Sequence, residues 1–494
     1  MPPVLKGSGC KGCPWEHRGR YMVPDEIRPN ARVLILGQNP GQHEESGERL
    51  VARAGKTKAW EPCRPAPFLG DSGYDLERTY LPLAGLVRED VSLCNTVRCR
   101  VGGSNKLPPL DRTETRTAIR HCAQHYLPAW GAGLAGVRHV VALGEYALWA
   151  TTGEDGGDPP PYEISRKIAG WRGWTLPWSP FQRRTYTDIW SPSGPPTNHE
   201  RNPTPNPRAA EHTSETAPFS KAPENAGATS PIVYVTLHPA SVYEAPWQKP
   251  AVLRDWQKFG ELLAGRWPSP LPPIQRRMAA WPREFSFDTE FWERGQEQRL
   301  VRWSASDGDS VWCVEAGTRL PLPPPEPPLV VMHQADADID RLDEFFGGTE
   351  VLHEDTMYAH HALHSELAHG LDFLGSLYAR TNRWKHLVSL NPITYSAADA
   401  YGTWDVWQAL RGELGRDPQT ENVYRECLLP LLRIVARARR MGIRVEPARA
   451  RASVRSLQDA QRGCLDRAAA SAGWPLNLNA GPQVAAQGRL EGWL

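Results

Sequence analysis

Three sets of side chains in this sequence have types and spacings that could do chemistry. The first begins at Phe287-Asp-Thr-Glu290, inside a run that reads as a strand. Residues two apart on a strand face the same way, so Asp288 and Glu290 put two carboxylates on one side. Such like charges repel unless a cation holds them. Further on come Asp338, in His333-Gln-Ala-Asp-Ala-Asp338, and Tyr395-Ser-Ala-Ala-Asp399, whose Tyr and Asp share a helix face at a spacing of four. These four acids are hard oxygen ligands, suited to Mg²⁺ or Mn²⁺. The second set is a close pair, Cys10-Lys-Gly-Cys13, with the distant Cys99 and Cys122. Four thiolates suit an iron–sulfur cluster or a structural zinc, and spacing alone leaves both open. The third is a turn, Gly37-Gln-Asn-Pro-Gly41, at the end of an apolar run, with Phe68, Asn95 and His238 downstream. The carboxyl end of a strand in an α/β fold is where a ligand usually sits.

The elements that must position these residues follow from periodicity. Residues 32–36, Val91–Asn95, 137–143 and Ile232–Thr236 read as strands. Helices are expected after the 66–76 segment, to about residue 86, over 111–130 and over 251–264. Strands alternating with helices imply an α/β fold with a mostly parallel sheet covered on both faces. Residues 42–66 read as an irregular insertion, and 151–230 as a larger one rich in Pro, Gly, Ser and Asn, disordered or looping over the surface at 191–228. A Pro-rich linker follows at 266–283, stiffest over 267–273. A second α/β unit occupies 284–415, with strands at 284–290, 299–305 and Leu329–Met332 and mainly helix over 336–412. Segments 353–357 and 363–374 belong to that helical stretch, and 420–470 read as amphipathic helices. The expected organisation is therefore 1–265, 266–283, 284–415 and 416–494.

With 494 residues, 40% hydrophobic and 23% charged, the chain is long enough for two to four packed domains. No long uncharged apolar run or secretory signal is visible, so no membrane partner is expected and the setting is intracellular. Nine cysteines in such a setting point to metal or free thiols before disulfides; Cys63 and Cys94 are read as free. The net charge of +1 requires any nucleic-acid surface to be local.

The ordered set Cys10, Cys13, the 37–41 turn, Phe68, Asn95, Cys99, Cys122 and His238-Pro-Ala240 resembles the iron–sulfur uracil-DNA glycosylases, family 4 with family 5 close behind. The resemblance implies a three-layer sheet domain and a [4Fe–4S] cluster on Cys10, Cys13, Cys99 and Cys122, with a structural role. It implies Phe68 as the stacking aromatic and Asn95 as the amide that grips N3–H and O4 of uracil. His238 would be the donor to O2 of the departing base, with Gln38 contributing through its backbone. Asn39 stands where some relatives carry an Asp. An Asn cannot take a proton but can orient water, and Glu44 or Glu45 is a further candidate for that step. The gap from Cys99 to Cys122 is longer than usual.

Residues 284–415 resemble the ribonuclease H-like 3′–5′ exonuclease domain of family A DNA polymerases, whose signature is four acids and a tyrosine. The resemblance implies two Mg²⁺ or Mn²⁺ ions on Asp288, Glu290, Asp338 and Asp399, with Tyr395 orienting the attacking water. Gln334 stands where an Asn is usual. Residues 416–494, with Met441-Gly-Ile-Arg-Val and 476–483, resemble the first thumb helices of such a polymerase, without palm or fingers. The whole resembles glycosylase–polymerase arrangements of bacteriophage replication, in the cytoplasm of a bacterial or phage-infected cell. Expected partners are uracil-containing DNA, single-stranded 3′ ends and a separate palm-and-fingers polypeptide. The alternative expectation is a non-catalytic uracil- or DNA-sensing module joined to the proofreading exonuclease of a split polymerase.

Overall fold

The structure, a computed structural model, describes residues 4–5, 8–18, 21–53, 58–133, 136–152, 171–178, 231–294, 297–336, 338–347, 351–388 and 390–473. Most of the Pro- and Ser-rich stretch at 151–230 and the 476–483 motif lie outside these residues. The chain divides into two units, Met1–Leu432 and Arg433–Leu494.

The first unit contains two large sheets. The N-terminal one is built from β1 (Val33–Gly37), β2 (Val91–Asn95), β3 (His139–Leu143), β4 (Thr175–Pro177) and β5 (Ile232–Thr236). Its order is β2-β1-β3-β5-β4, parallel except where β4 pairs with β5. Val33, Leu34, Ile35 and Leu36 are all buried, which is why the sequence shows a continuous apolar run rather than alternation. Helices α1 (Thr113–Gly133), α2 (Glu145–Thr152) and α3 (Lys249–Leu263) accompany the sheet. Gly37 is the register partner of Asn95, so the 37–41 turn and Asn95 leave the sheet side by side.

Residues 42–66 are not an irregular insertion. They form a short helix, Gln42–Ser46, and an antiparallel ribbon of Glu48–Ala52 with Lys58–Pro62. Leu50 alone of the ribbon's described residues is buried, so the alternation that marks a strand is nearly invisible in its sequence.

The second sheet comprises β6 (Ile274–Gln275), β7 (Glu284–Arg294), β8 (Glu297–Ser306), β9 (Val311–Glu315), β10 (Leu329–Met332) and β11 (Leu352–Asp355). Its order is β6-β9-β8-β7-β10-β11. β7, β8 and β9 form an antiparallel meander, and β10 and β11 run parallel to β7. Helices α4 (Ile339–Phe345), α5 (Thr356–Leu363), α6 (Leu371–Tyr378) and α7 (Pro392–Leu414) accompany this sheet. Residues 353–357, expected as helix, instead end a strand and start α5. Asp355 is the hinge between them, its carboxylate accepting from the amides of Met357 and Tyr358 as an N-cap.

The two halves of the first unit meet across buried charge. Arg172 donates to Asp255 and, at 2.5 Å, to Ser376 Oγ on α6. Thr236 Oγ1 donates to the other oxygen of Asp255 at 2.7 Å. Lys258 donates to Ser376 O at 2.9 Å, its ammonium 4.3 Å from the centres of both the Trp174 and Trp267 rings. Arg172, Asp255, Lys258 and Ser376 are all at most 2% exposed, so the seam is fully desolvated. The Pro-rich stretch is therefore pinned at its start: Trp267 is buried and donates from Nε1 to Ala379 O at 3.0 Å. Breaking a buried pair leaves an uncompensated charge. We expect Arg172→Met to cost about 3–5 kcal/mol of stability, read from urea unfolding. A loss under about 1 kcal/mol would show that Asp255 does not depend on Arg172.

The second unit contains the end of α8 (Leu429–Met441) and α9 (Pro447–Ala472), the helices expected over this stretch. Among the described residues no helix is long and apolar enough to cross a membrane.

Candidate active sites

The first site lies at the carboxyl end of the N-terminal sheet. Asn95, the last residue of β2, is buried, and its Nδ2 is enclosed with no partner. A buried amide donor left free is costly unless a ligand takes it up. Asn95 and Phe68 close on the same point: a Cβ on Gly37 would sit 2.5 Å from Asn95 Oδ1 and 2.6 Å from Phe68 Cζ. Glycine is thus required there by space.

Phe68 is held in a left-handed conformation, φ 58°. Such a backbone is unfavourable for a bulky residue and persists only when the surroundings over-determine it. Two side chains do so. The Glu44 carboxylate accepts from the Phe68 amide with one oxygen and from the Gly41 amide with the other. Arg88 donates to Phe68 O at 2.9 Å and Pro67 O at 2.7 Å, and is itself paired with Glu26 and Glu77. Glu44 is therefore committed to backbone amides that fix the aromatic; burial pushes its carboxyl up to about 6, against the pull of those amides. Glu45 pairs with Arg100 at 3.7 Å.

His238 follows β5 and lies across from Phe68, ring centres 6.0 Å apart and nearly parallel. Burial lowers its pKa to about 4, so the imidazole is neutral near pH 7. Its Nδ1 accepts from the Ala240 amide at 3.2 Å. That hydrogen bond sets the tautomer and leaves the proton on Nε2. Asn39 donates from Nδ2 to Pro40 O at 3.0 Å, while its Oδ1 is buried without a partner. The Gln38 carbonyl accepts from the Val97 amide at 3.0 Å, which ties the turn to the loop after Asn95.

The four cysteines of the second set line one small pocket, together with Met22, Val97, Arg98, Ala118, His121 and Tyr126. Cys10 Sγ lies 3.2 Å from the Tyr126 hydroxyl, and Arg98 Nη1 lies 3.8 Å from Cys122 Sγ. Among the described residues the one group of three or more potential ligand atoms within 4.8 Å of one another is Asp288, Glu290 and Asp399. No three of the sulfurs therefore converge that closely.

The acid trio is the core of the third site. Asp288 and Glu290 come from β7 and Asp399 from α7. Asp288 Oδ2 is buried and unpartnered. Burial, then the neighbouring carboxylates, push Asp288 well above the usual range and raise Glu290 as well. Asp338 stands outside the convergent trio, accepting from the Thr289 hydroxyl; burial raises its pKa to about 7. Tyr395 is hydrogen-bonded to Asp399, which with burial keeps the phenol protonated. Two donors at this site carry no sequence signal: Trp384 Nε1 and Lys385 Nζ both reach Asp399 Oδ1 at 2.5 Å.

Fold and site together define an α/β protein with an amide, an aromatic ring and an imidazole gathered at the carboxyl end of one sheet and three convergent carboxylates on a second. The family model "Uracil DNA glycosylase superfamily" matches residues 24–257. The type-4 uracil-DNA glycosylase of Thermotoga maritima is 30% identical over 139 residues, covering 28% of this chain and 58% of that protein. The type-4 enzyme of Pyrobaculum aerophilum is 28% identical over 135 residues, 27% of this chain and 55% of that protein. The chain thus spans little more than half the length of these relatives. Among solved structures, Brucella melitensis NrnC with bound Mg²⁺ shares 20% identity over 34% of this chain and 91% of its own, with a TM-score of 0.28. The POL domain of Pol1 from M. smegmatis shares 18% over 41% and 36%, with a TM-score of 0.31. At such scores the likeness supports no statement about function.

Proposed function

We propose that this chain is a DNA-processing enzyme with two activities, excision of uracil from DNA and metal-dependent removal of 3′-terminal nucleotides. The observation that carries the first is the meeting of the unpartnered Asn95 amide and Phe68 at Gly37, with His238 across from the Phe68 ring. A flipped base would stack on Phe68 and be gripped by Asn95; cytosine would leave the amide mispaired. As the N1–C1′ bond breaks, the electron pair leaves with uracil, and His238 Nε2–H donates to the charge developing on O2. Water adds to C1′, oriented by Asn39 Oδ1, and releases its proton to solvent. Asn39 can orient this water without serving as base.

Cys10, Cys13, Cys99 and Cys122 would hold a [4Fe–4S] cluster that clips the N-terminal segment to β2 and α1. Asp288, Glu290 and Asp399, with Asp338 nearby, would hold divalent metal, which supplies an activated water and stabilises the leaving oxygen of the phosphodiester. Tyr395 orients that water. DNA is the partner of both sites.

The test is uracil release from an oligonucleotide in EDTA, which silences the nuclease. Release under these conditions is expected. No release by iron-loaded protein would leave a module that senses uracil without cutting, the reading that Asn39 in place of an acid favours.

A further inference from the structure

The ribbon at 48–62 is rooted beside the uracil pocket. The Leu50 amide donates to Leu69 O at 2.9 Å, and the Cys63 amide to Gly47 O at 2.7 Å. Leu69 follows Phe68, and the helix before the ribbon carries Glu44, which clamps Phe68. On this ribbon Trp60 lies flat against His43, ring centres 3.7 Å apart and planes 18° from parallel. His43 is steadied by Glu48 at 3.0 Å, yet Trp60 remains 39% exposed. Nearby, Lys58 packs over the Tyr74 ring at 4.4 Å. A large ring with one face covered by His43 and the rest open offers a flat surface on which a base can stack. Its backing residue is one position from the clamp on Phe68.

We propose that Trp60, backed by His43, is a platform on which a base flanking the excised uracil stacks. Flipping uracil out of the strand strips its neighbours of a stacking partner, and a preformed aromatic face replaces it. Stacking is tolerant of sequence, so the platform serves any flanking base and favours single-stranded substrate, whose bases are free to reach it. This inference rests on the uracil reading of the pocket.

The test uses the full-length, iron-loaded protein and single-stranded oligonucleotides with 2-aminopurine beside uracil. In a His238→Ala background, which binds without cutting, binding should quench the 2-aminopurine; Trp60→Ala and Trp60→Leu should abolish the quench and Trp60→Phe should retain most of it. With His238 intact, Trp60→Ala and Trp60→Leu should raise KM about 5- to 150-fold, the span of aromatic–base stacking, with kcat unchanged. Trp60→Leu keeps an apolar side chain on His43, so a fold defect in the alanine variant does not decide the matter. Quench and KM equal to wild type in Trp60→Leu would overturn the platform while the glycosylase stands. A Trp60-dependent quench in protein that releases no uracil would overturn the excision reading and leave the platform.

Discussion

His238→Ala should lower kcat for uracil release about 100- to 1000-fold, with little change in KM. That is the usual cost of removing one preorganised donor to a developing anion. The ring sits in place through the Ala240 amide and the Phe68 face, so the donor is aimed before substrate arrives. The pH dependence gives a second readout. The folded pKa of about 4 lies below the ordinary 6.5, so the native state binds fewer protons than the unfolded chain between these values. Its contribution to stability is therefore full above 6.5 and is lost as the pH falls through about 4. Activity should show no inflection from this residue above about pH 6. Below about pH 4, protonated Nδ1 would face the Ala240 N–H, donor against donor, and release should fail. An activity that rises with protonation between pH 5 and 7, or a His238→Ala enzyme at wild-type rate, would rule out the neutral donor. Asn95→Asp is the companion control, since a carboxylate cannot donate to O4.

Much of this pocket is legible in the sequence because its residues sit at the ends of apolar runs. Asn95 closes β2, and His238 stands two residues beyond β5. A run buried on both faces ends where the sheet ends, and ligands bind there. What positions those residues is not legible. Glu44 and Arg88 reach Phe68 from 24 and 20 residues away, through contacts that periodicity does not encode. The left-handed Phe68 likewise has no local signature, since nothing in its side chain prefers that conformation. The ribbon hides because charged side chains occupy both of its faces. The same holds at the acids: Asp288 and Glu290 are read correctly onto one strand face, but Trp384 and Lys385 meet Asp399 only through the packing of the loop before α7. The seam through Arg172, Asp255 and Ser376 joins residues up to 204 positions apart, and polar residues in sequence look like surface until the fold buries them.

Asp288→Ala should abolish 3′-nucleotide release and at the same time raise the melting temperature of metal-free protein. The first effect follows from ligand loss. A divalent ion contributes several kcal/mol to charge stabilisation in phosphodiester cleavage, hence a rate loss of about 1000-fold or more. The second follows from the field the acids make for one another. Asp288 is buried among Asp399, Asp338 and Glu290, and its carboxyl is driven well above the usual range. Asp338 rises to about 7 from 3.8. Folded pKa values above the unfolded ones mean that the native state binds more protons, so the stability these groups confer is full below about pH 4 and lost as the pH rises through about 7. Metal-free wild type should therefore melt lower at pH 8 than at pH 6, and Mg²⁺ should reverse the loss, because a ligand that binds only the folded state stabilises it. In Asp288→Ala one of the repelling charges is gone, so both the pH slope and the Mg²⁺ shift should shrink. Uracil release in EDTA should be untouched, since the two sites share no residue. An alanine variant that still removes 3′ nucleotides, or whose melting temperature responds to Mg²⁺ as the wild type does, would show that these carboxylates do not form the metal site.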